Sequence, residues 1–161
     1  MSISEFKSLV DKAVNEGRYL EAFLLQSLYI ESLVTVLATA KRFHDKGYDG
    51  RKLSVSIEIE KDLETKKVFE KSIRDRLSSN IRALRGAHFM GEKDADYLYI
   101  WKDKYRDNIF HNLGQLMLTG SLTNIAQEGL EFTKKFTGQE WFKKMEKSFV
   151  ESEKQFINLK S

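Results

Sequence analysis

The strongest constraint on the fold is a long stretch, residues 18–43, in which apolar residues recur at helical spacing. Apolar side chains at every third or fourth position form a stripe along one side of an α-helix. The members of the stripe are Leu20, Phe23, Leu24, Leu28, Val34, Leu37 and Ala38, with Leu25, Ile30 and Leu33 widening it. A stripe of this width predicts a long central helix that neighbours contact on several sides.

The rest of the chain favours the same class of fold. Its 161 residues contain no proline and are 41% hydrophobic and 32% charged, as in a soluble globular domain. Helical spacing recurs near the N-terminus, between Glu64 and Gly86, and after Ser121 and Gly138. We predict an all-α fold, an antiparallel bundle of four to six helices that forms one domain over residues 1–161.

Local signals predict where some helices begin and end. Ser2 and Glu5 have the spacing of a capping box, and Gly17 is suited to ending the helix that follows. Ser121 or Thr123 is predicted to cap a later helix.

Residues 53–60, LSVSIEIE, are the one segment that departs from helical spacing. Their apolar residues alternate with Ser and Glu, which is the period of a β-strand. A lone strand has no partner for its hydrogen bonds, so a hairpin, a strand at a dimer edge and a helix start all stay open. We favour the helix.

The charge of the chain is close to balanced, with 27 basic and 24 acidic residues and a formal net charge of +3. A general polycation for nucleic acid or anionic lipid is therefore excluded. The positive excess gathers between Lys71 and Arg85, where it is either a solvated face or an anion-binding groove that includes Arg82 and Arg85.

Several kinds of chemistry are excluded by residues that the chain lacks. It has no cysteine, and His44, His88 and His111 do not have a zinc-site spacing, so we expect no metal. Phosphate-loop and dinucleotide glycine motifs are absent, so we expect no cofactor. The N-terminal segment lacks the apolar core of a signal peptide, and no apolar run approaches the roughly 20 residues that span a bilayer, so we expect a cytoplasmic protein without membrane contact.

The hexapeptide RDNIFH, residues 106–111, combines an arginine with a histidine five residues later. Inside an unbroken α-helix these two residues lie about 140° apart, so they do not share a face. A helix start capped by Asp107 or Asn108 would bring Arg106, His111 and free backbone N–H groups together around a phosphate. The alternative is an ion-paired arginine and a surface histidine with no function.

The residues Arg106, Asp107 and His111, near the start of a late helix in a small helical chain, resemble the motif of the HEPN family (higher eukaryotes and prokaryotes nucleotide-binding domain). The resemblance implies a helical homodimer whose two motifs face each other across the interface. It also implies metal-independent endoribonuclease activity, as in toxins of toxin–antitoxin pairs and in defence systems. The implied partners are RNA, a second copy of the chain, and an antitoxin or a nucleotidyltransferase.

Carried over to this chain, the resemblance implies that His111 transfers protons at the ribose 2′-OH or the leaving 5′-oxygen. Arg106 would hold the scissile phosphate, and Asp107 would orient either residue. Arg82, Arg85 and Asn108 are candidate RNA contacts. Asp107 stands where asparagine is frequent in the family, and the chain lacks a pronounced basic surface, so a non-catalytic HEPN-like module that binds a protein or a nucleotide is the alternative.

Overall fold

The computed structural model describes residues 2–45, 77–88 and 90–157, and every regular element in these stretches is helical. In chain order the elements are α1 (Ile3–Asn15), α2 (Tyr19–Asp45), α3 (Leu77–Leu84), α4 (Glu92–Ile100), a π-helix (Trp101–Arg106), α5 (Asp107–Leu118), α6 (Leu122–Thr137) and α7 (Glu140–Ile157). The predicted all-α helical fold is confirmed for these stretches, which contain no strand. The alternating segment 53–60 lies outside the described residues.

Helix α1 begins and ends where its sequence predicts. The Glu5 N–H donates to Ser2 Oγ at 3.3 Å, and the Ser2 N–H donates to the Glu5 carboxylate at 2.6 Å, which completes the capping box. After the helix ends, Gly17 adopts a φ of +71°. Glycine reaches this left-handed region without the steric penalty of a Cβ, so the chain can turn sharply towards α2.

The prediction that the Ser121 side chain caps α6 is wrong. Ser121 does precede Leu122, the first helical residue, but its backbone is itself helical and its side chain makes no capping bond. The Ser121 hydroxyl instead accepts a hydrogen bond from Thr119 Oγ1 at 3.1 Å.

Helix α2 is the long helix that residues 18–43 predict. Its stretch Tyr19–Arg42 contains an 18-residue window with a mean hydropathy of 1.5 and passes the length and composition test for a membrane span. The expectation that no apolar run approaches that length is therefore wrong for this helix. A core helix passes the same test, and 56% of its apolar window is buried inside the protein. The absence of membrane contact stays a prediction.

The chain divides into two compact units, and the first contains residues 1–31 and 96–139. In this unit the π-helix, α5 and α6 contact one another. An aromatic cluster lies in its core, where the Phe132 ring centroid is 5.4 Å from that of Tyr105 and 5.8 Å from that of Phe136. The other buried apolar side chains of this unit include Val10, Ala13, Phe23, Ile30, Leu98, Trp101, Ile109, Leu116 and Leu130.

The second unit contains residues 32–95 and 140–161, so α2 contributes its C-terminal part here. Its buried apolar side chains include Leu33, Val34, Leu37, Ala38, Ile81, Leu84, Trp141, Phe142 and Met145. The buried Asn80 amide oxygen accepts a hydrogen bond from Arg42 Nη1 at 2.8 Å, which links α2 and α3. The prediction of one domain over residues 1–161 stays a prediction.

Helix α6 approaches α2 closely at Gly129. A Cβ placed on Gly129 would lie 2.5 Å from Cε2 of Phe23, and the Phe23 ring is fully buried. A ring enclosed by core residues has little room to move aside. Glycine at this position therefore lets the two helices pack at this distance.

We expect Gly129→Ala to lower the free energy of unfolding by about 1–3 kcal/mol, because the added methyl overpacks the core against Phe23. Gly114→Ala is the matched control, since a Cβ at Gly114 in α5 would meet no atom within 4 Å. In this exposed helical position alanine should stabilise the protein by about 0.5–1 kcal/mol. Urea unfolding of both variants measures the difference, and equal stabilities would contradict the close packing.

Candidate functional site

The RDNIFH motif lies at the junction between the π-helix and α5. Helix α4, the π-helix and α5 follow one another directly in the chain from Glu92 to Leu118. The Asp107 N–H donates to the carbonyl of Lys102, five residues earlier, which is the hydrogen bond of a π-turn. Trp101 and Tyr105 anchor this turn because both are buried in the core of the first unit.

Of the two interpretations that the sequence leaves open for the motif, a helix start capped by Asp107 or Asn108 does not occur. Asp107 has helical angles, φ −67° and ψ −35°, and continues the preceding helix. The one non-helical residue of α5 is Asn112, with φ −117° and ψ 20°, directly after the motif. The Asn108 amide oxygen accepts a hydrogen bond from Asn112 Nδ2 at 2.9 Å across this kink.

The π-turn brings Lys102 and Asp107 together. In an α-helix, residues five apart point about 140° away from each other, whereas the wider π-turn places them close to one another. Lys102 Nζ lies 2.6 Å from Asp107 Oδ2 and 2.8 Å from Asp103 Oδ1. This lysine therefore neutralises one oxygen of the motif's aspartate.

Arg106 is held by groups on two helices and by an aromatic ring. Its Nε donates to Oε1 of Glu31 on α2, and its Nη1 donates to Asp107 Oδ1 at 2.6 Å. Its Cζ lies 4.9 Å from the centroid of the Phe110 ring, a cation–π distance. The Arg106 side chain is only 22% exposed. These contacts hold its guanidinium in place.

The pKa values of the cluster follow from this pairing. Burial alone would raise the pKa of Asp107, but hydrogen bonds from Lys102 and Arg106 outweigh it and hold that pKa below its usual value. Burial alone would lower the pKa of Lys102 and of Arg106, but their carboxylate partners outweigh it and raise both. We define the motif cluster as Glu31, Lys102, Asp103, Arg106 and Asp107. Its two cations and three carboxylates give it a formal charge of −1.

His111 lies on a different side of α5 from Arg106. Both residues belong to one helical stretch and are five positions apart, so their side chains point about 140° away from each other. His111 is exposed. A single copy of the motif therefore does not direct the guanidinium and the imidazole to the same point.

An exposed apolar surface continues from the motif along α5. We call it the α5 apolar face; the exposed fractions of its side chains are 47% at Phe110, 42% at Leu113, 64% at Met117 and 91% at Leu118. Leu113 and Met117, four positions apart and both beyond the kink at Asn112, lie on one stripe of the helix, and Phe110 lies just before the kink. Large apolar side chains grouped in this way are typical of a surface that another protein covers.

The other candidate RNA contacts, Arg82 and Arg85, belong to the second unit. Arg82 is exposed on α3, and Arg85 lies just after that helix with its Nε 3.7 Å from Glu92 Oε1. Their role in RNA binding stays a prediction. Within the three stretches that the structure describes, no group of His, Asp and Glu side chains could hold a metal ion.

Glu31, Lys102 and Asp103 are the three members of the motif cluster absent from the sequence-predicted set. The sequence does mark Glu31, since it is the only charged residue between Ala22 and Ala40. A lone charge on a core helix generally needs a partner. The partner itself lies 75 positions away in the chain, which local patterns do not reveal.

None of the protein-family models, curated proteins or solved structures compared with this chain matches it.

We expect Lys102→Met to raise the pKa of Asp107, because the variant removes one of the two cations that stabilise the carboxylate. A lowered folded-state pKa stabilises the fold above the unfolded value, about pH 3.9, and this contribution disappears as the pH falls through the folded pKa. Wild type should therefore exceed Lys102→Met in stability at pH 7, and the difference should shrink below about pH 4.

Carbon-13 NMR titration of the Asp107 carboxyl, with urea unfolding at both pH values, measures these effects. Lys104→Met is the control, since Lys104 lies in the same π-helix with its ammonium 5.2 Å from the Tyr105 ring centroid. An Asp107 midpoint that is the same in wild type and Lys102→Met would contradict the assigned pairing.

Proposed function

We propose that this protein is a HEPN-type, metal-independent endoribonuclease in which two copies combine Arg106 and His111 in a shared site. One observation carries the proposal: the arginine of the motif is fixed in place, while its histidine is exposed beside the α5 apolar face. The family assignment itself rests on the resemblance of RDNIFH to the HEPN motif.

Arg106 suits the role of phosphate clamp. Guanidinium groups bind phosphate oxygens through paired N–H donors, and the strength of such contacts increases as negative charge develops. Because Asp107 and Phe110 already contact the guanidinium, little reorganisation of these two contacts is needed when the reaction occurs. In this role Arg106 stabilises the extra charge on the phosphorane-like transition state.

His111 would supply the proton transfers. The ribose 2′-oxygen attacks phosphorus and loses its proton to a base, while the 5′-oxygen leaves and takes a proton from an acid. The products are a 2′,3′-cyclic phosphate end and a free 5′-hydroxyl. An imidazole serves as either base or acid. The exposed position of His111 allows it to reach a substrate outside its own protomer.

A second copy completes the site because one copy directs its two motif residues apart. The angle of about 140° between Arg106 and His111 separates them around α5. Two chains that meet at their α5 apolar faces form a two-fold interface, in which the same patch occurs on both sides. Such an interface would bring the histidine of one copy towards the arginine of the other.

We expect His111→Ala to abolish cleavage of mixed RNA in the presence of EDTA, with a rate loss of at least about 100-fold, the usual contribution of a general acid or base. The measurement is gel analysis of the RNA together with chemical identification of the new ends. His44→Ala is the control, since His44 is also exposed but belongs to the second unit. Equal activity of wild type and His111→Ala would remove the histidine from the mechanism.

We expect Met117→Glu to convert a dimer to a monomer and to reduce RNA cleavage, because two charges would meet across the α5 apolar face. Sedimentation equilibrium gives the mass in solution, and the RNA assay gives the activity. Leu9→Glu is the matched control, since Leu9 is likewise an exposed apolar residue, at 41%, but lies on α1. A wild-type protein that is monomeric at all concentrations would exclude the shared site.

The second candidate function is a non-catalytic HEPN-like module that binds a protein partner or a nucleotide. It is favoured by the charge of the motif cluster, where three carboxylates surround two cations and oppose the approach of RNA. This alternative requires wild type and His111→Ala to behave alike in every RNA assay. Partnership with an antitoxin or a nucleotidyltransferase, and a place in defence, rest on the resemblance alone.

A further inference from the structure

Two of the five N–H donors of Arg106 are engaged in this structure, one on each edge of its guanidinium. A guanidinium binds an anion with two parallel hydrogen bonds along its side edge, Nε and Nη2, or along its end edge, Nη1 and Nη2. Glu31 holds Nε and Asp107 holds Nη1, so each edge has one donor already engaged. A phosphate cannot bind bidentately to Arg106 until one carboxylate moves away.

The two carboxylates differ in how firmly they are held. Asp107 is bound through both oxygens, by Arg106 and by Lys102, within one continuous helical segment. Glu31 comes from another helix, and its carboxylate contacts Arg106 through a single oxygen. The Glu31 side chain is 27% exposed and therefore has a route to solvent. Of the two, Glu31 is the one that an incoming anion can displace.

We propose that Glu31 is a positioning residue that competes with phosphate for the side edge of Arg106 and thereby sets the affinity of the site for anions. The proposal rests on the proposed function, because it takes Arg106 as the phosphate-binding group. In the unliganded protein Glu31 holds the guanidinium in place. When a phosphate group binds, the Glu31 carboxylate leaves, and Nε and Nη2 become a free pair of donors.

The charge of the motif cluster predicts whether phosphate binding becomes tighter or weaker when Glu31 is neutralised. Neutralising Glu31 changes the formal charge of the cluster from −1 to 0 and leaves Asp107 paired with Lys102. Glutamine at position 31 keeps an oxygen that accepts from Arg106 Nε, so the positioning contact survives while the competing charge is lost. A purely structural role for Glu31 would make phosphate binding weaker in this variant or leave it unchanged.

The test measures binding of inorganic phosphate and of a 2′-deoxy oligonucleotide, which cannot be cleaved by the proposed reaction. The proteins are wild type, Glu31→Gln and Glu21→Gln. Glu21 is the matched control because it lies on α2 in the same unit and also pairs with an arginine, Arg18. The readout is the chemical shift of the Arg106 Nε–H signal in a proton–nitrogen correlation spectrum during titration, with a melting curve for each variant.

We expect Glu31→Gln to bind inorganic phosphate about two- to fivefold more tightly than wild type, a change of the size that one partly exposed charge produces. Glu21→Gln should match wild type. Tighter binding of both probes assigns the site to phosphate itself, and tighter binding of the oligonucleotide alone assigns it to a nucleic-acid backbone. No binding by any protein, or binding by Glu31→Gln that is no tighter than by wild type, would overturn the proposal.

A measurement on wild type keeps the proposal testable if Glu31→Gln fails to fold. Carbon-13 labelling of glutamate side chains allows the Glu31 carboxyl to be followed directly. Its signal should shift during phosphate titration with the same midpoint as the Arg106 Nε–H signal, and a stationary Glu31 signal would overturn the exchange. Tighter phosphate binding without any RNA cleavage would support this inference while contradicting the proposed function.

Discussion

A guanidinium that is only 22% exposed needs acceptors close by, and Arg106 finds them on two separate helices. Its bond to Glu31 joins α2 to the π-helix across 75 positions of the chain. Its bond to Asp107 depends on the π-turn, which also supplies Lys102 as the second partner of that aspartate. Removing one member of such a partly buried network leaves a charge without its partner, which costs about 3–5 kcal/mol in fully buried cases. The geometry of the motif therefore depends on this network more than on any local helix signal.

Local patterns predict the parts of the fold that local physics determines. The capping box of Ser2 and Glu5, the turn at Gly17 and the long helix α2 all follow from side chains near one another in the chain. The π-turn has no such signal, since neither Gly nor Pro interrupts the segment and its anchors, Trp101 and Tyr105, act through the tertiary core. The site is predicted only in part for the same reason, because Glu31 reaches Arg106 through the tertiary fold from 75 positions away in the chain.

The electrostatics of the motif cluster limit how the protein could engage RNA. Affinity for a nucleic-acid backbone comes chiefly from the number of phosphates that basic side chains neutralise. Here the net charge is +3 over the whole chain, and the cluster around Arg106 is formally negative. A site of this kind would select its ligand through the placement of a few hydrogen-bond donors. General electrostatic attraction between the protein and the RNA backbone would contribute little. This selection by a few donors applies whether the protein is a nuclease or a binding module.

The π-helix also affects how the chain tolerates insertions and deletions. A π-turn contains about one residue more than an α-turn, so loss of a single exposed residue such as Lys104 would convert it to ordinary α-helix. Lys102 and Asp107 would then be four positions apart, the usual spacing of a helical ion pair. One residue lost from α2 ahead of Glu31 would instead rotate that carboxylate by about 100° around its helix axis relative to the preceding residues. Length changes are therefore easier to accommodate beside the motif than in the distant helix that contacts it.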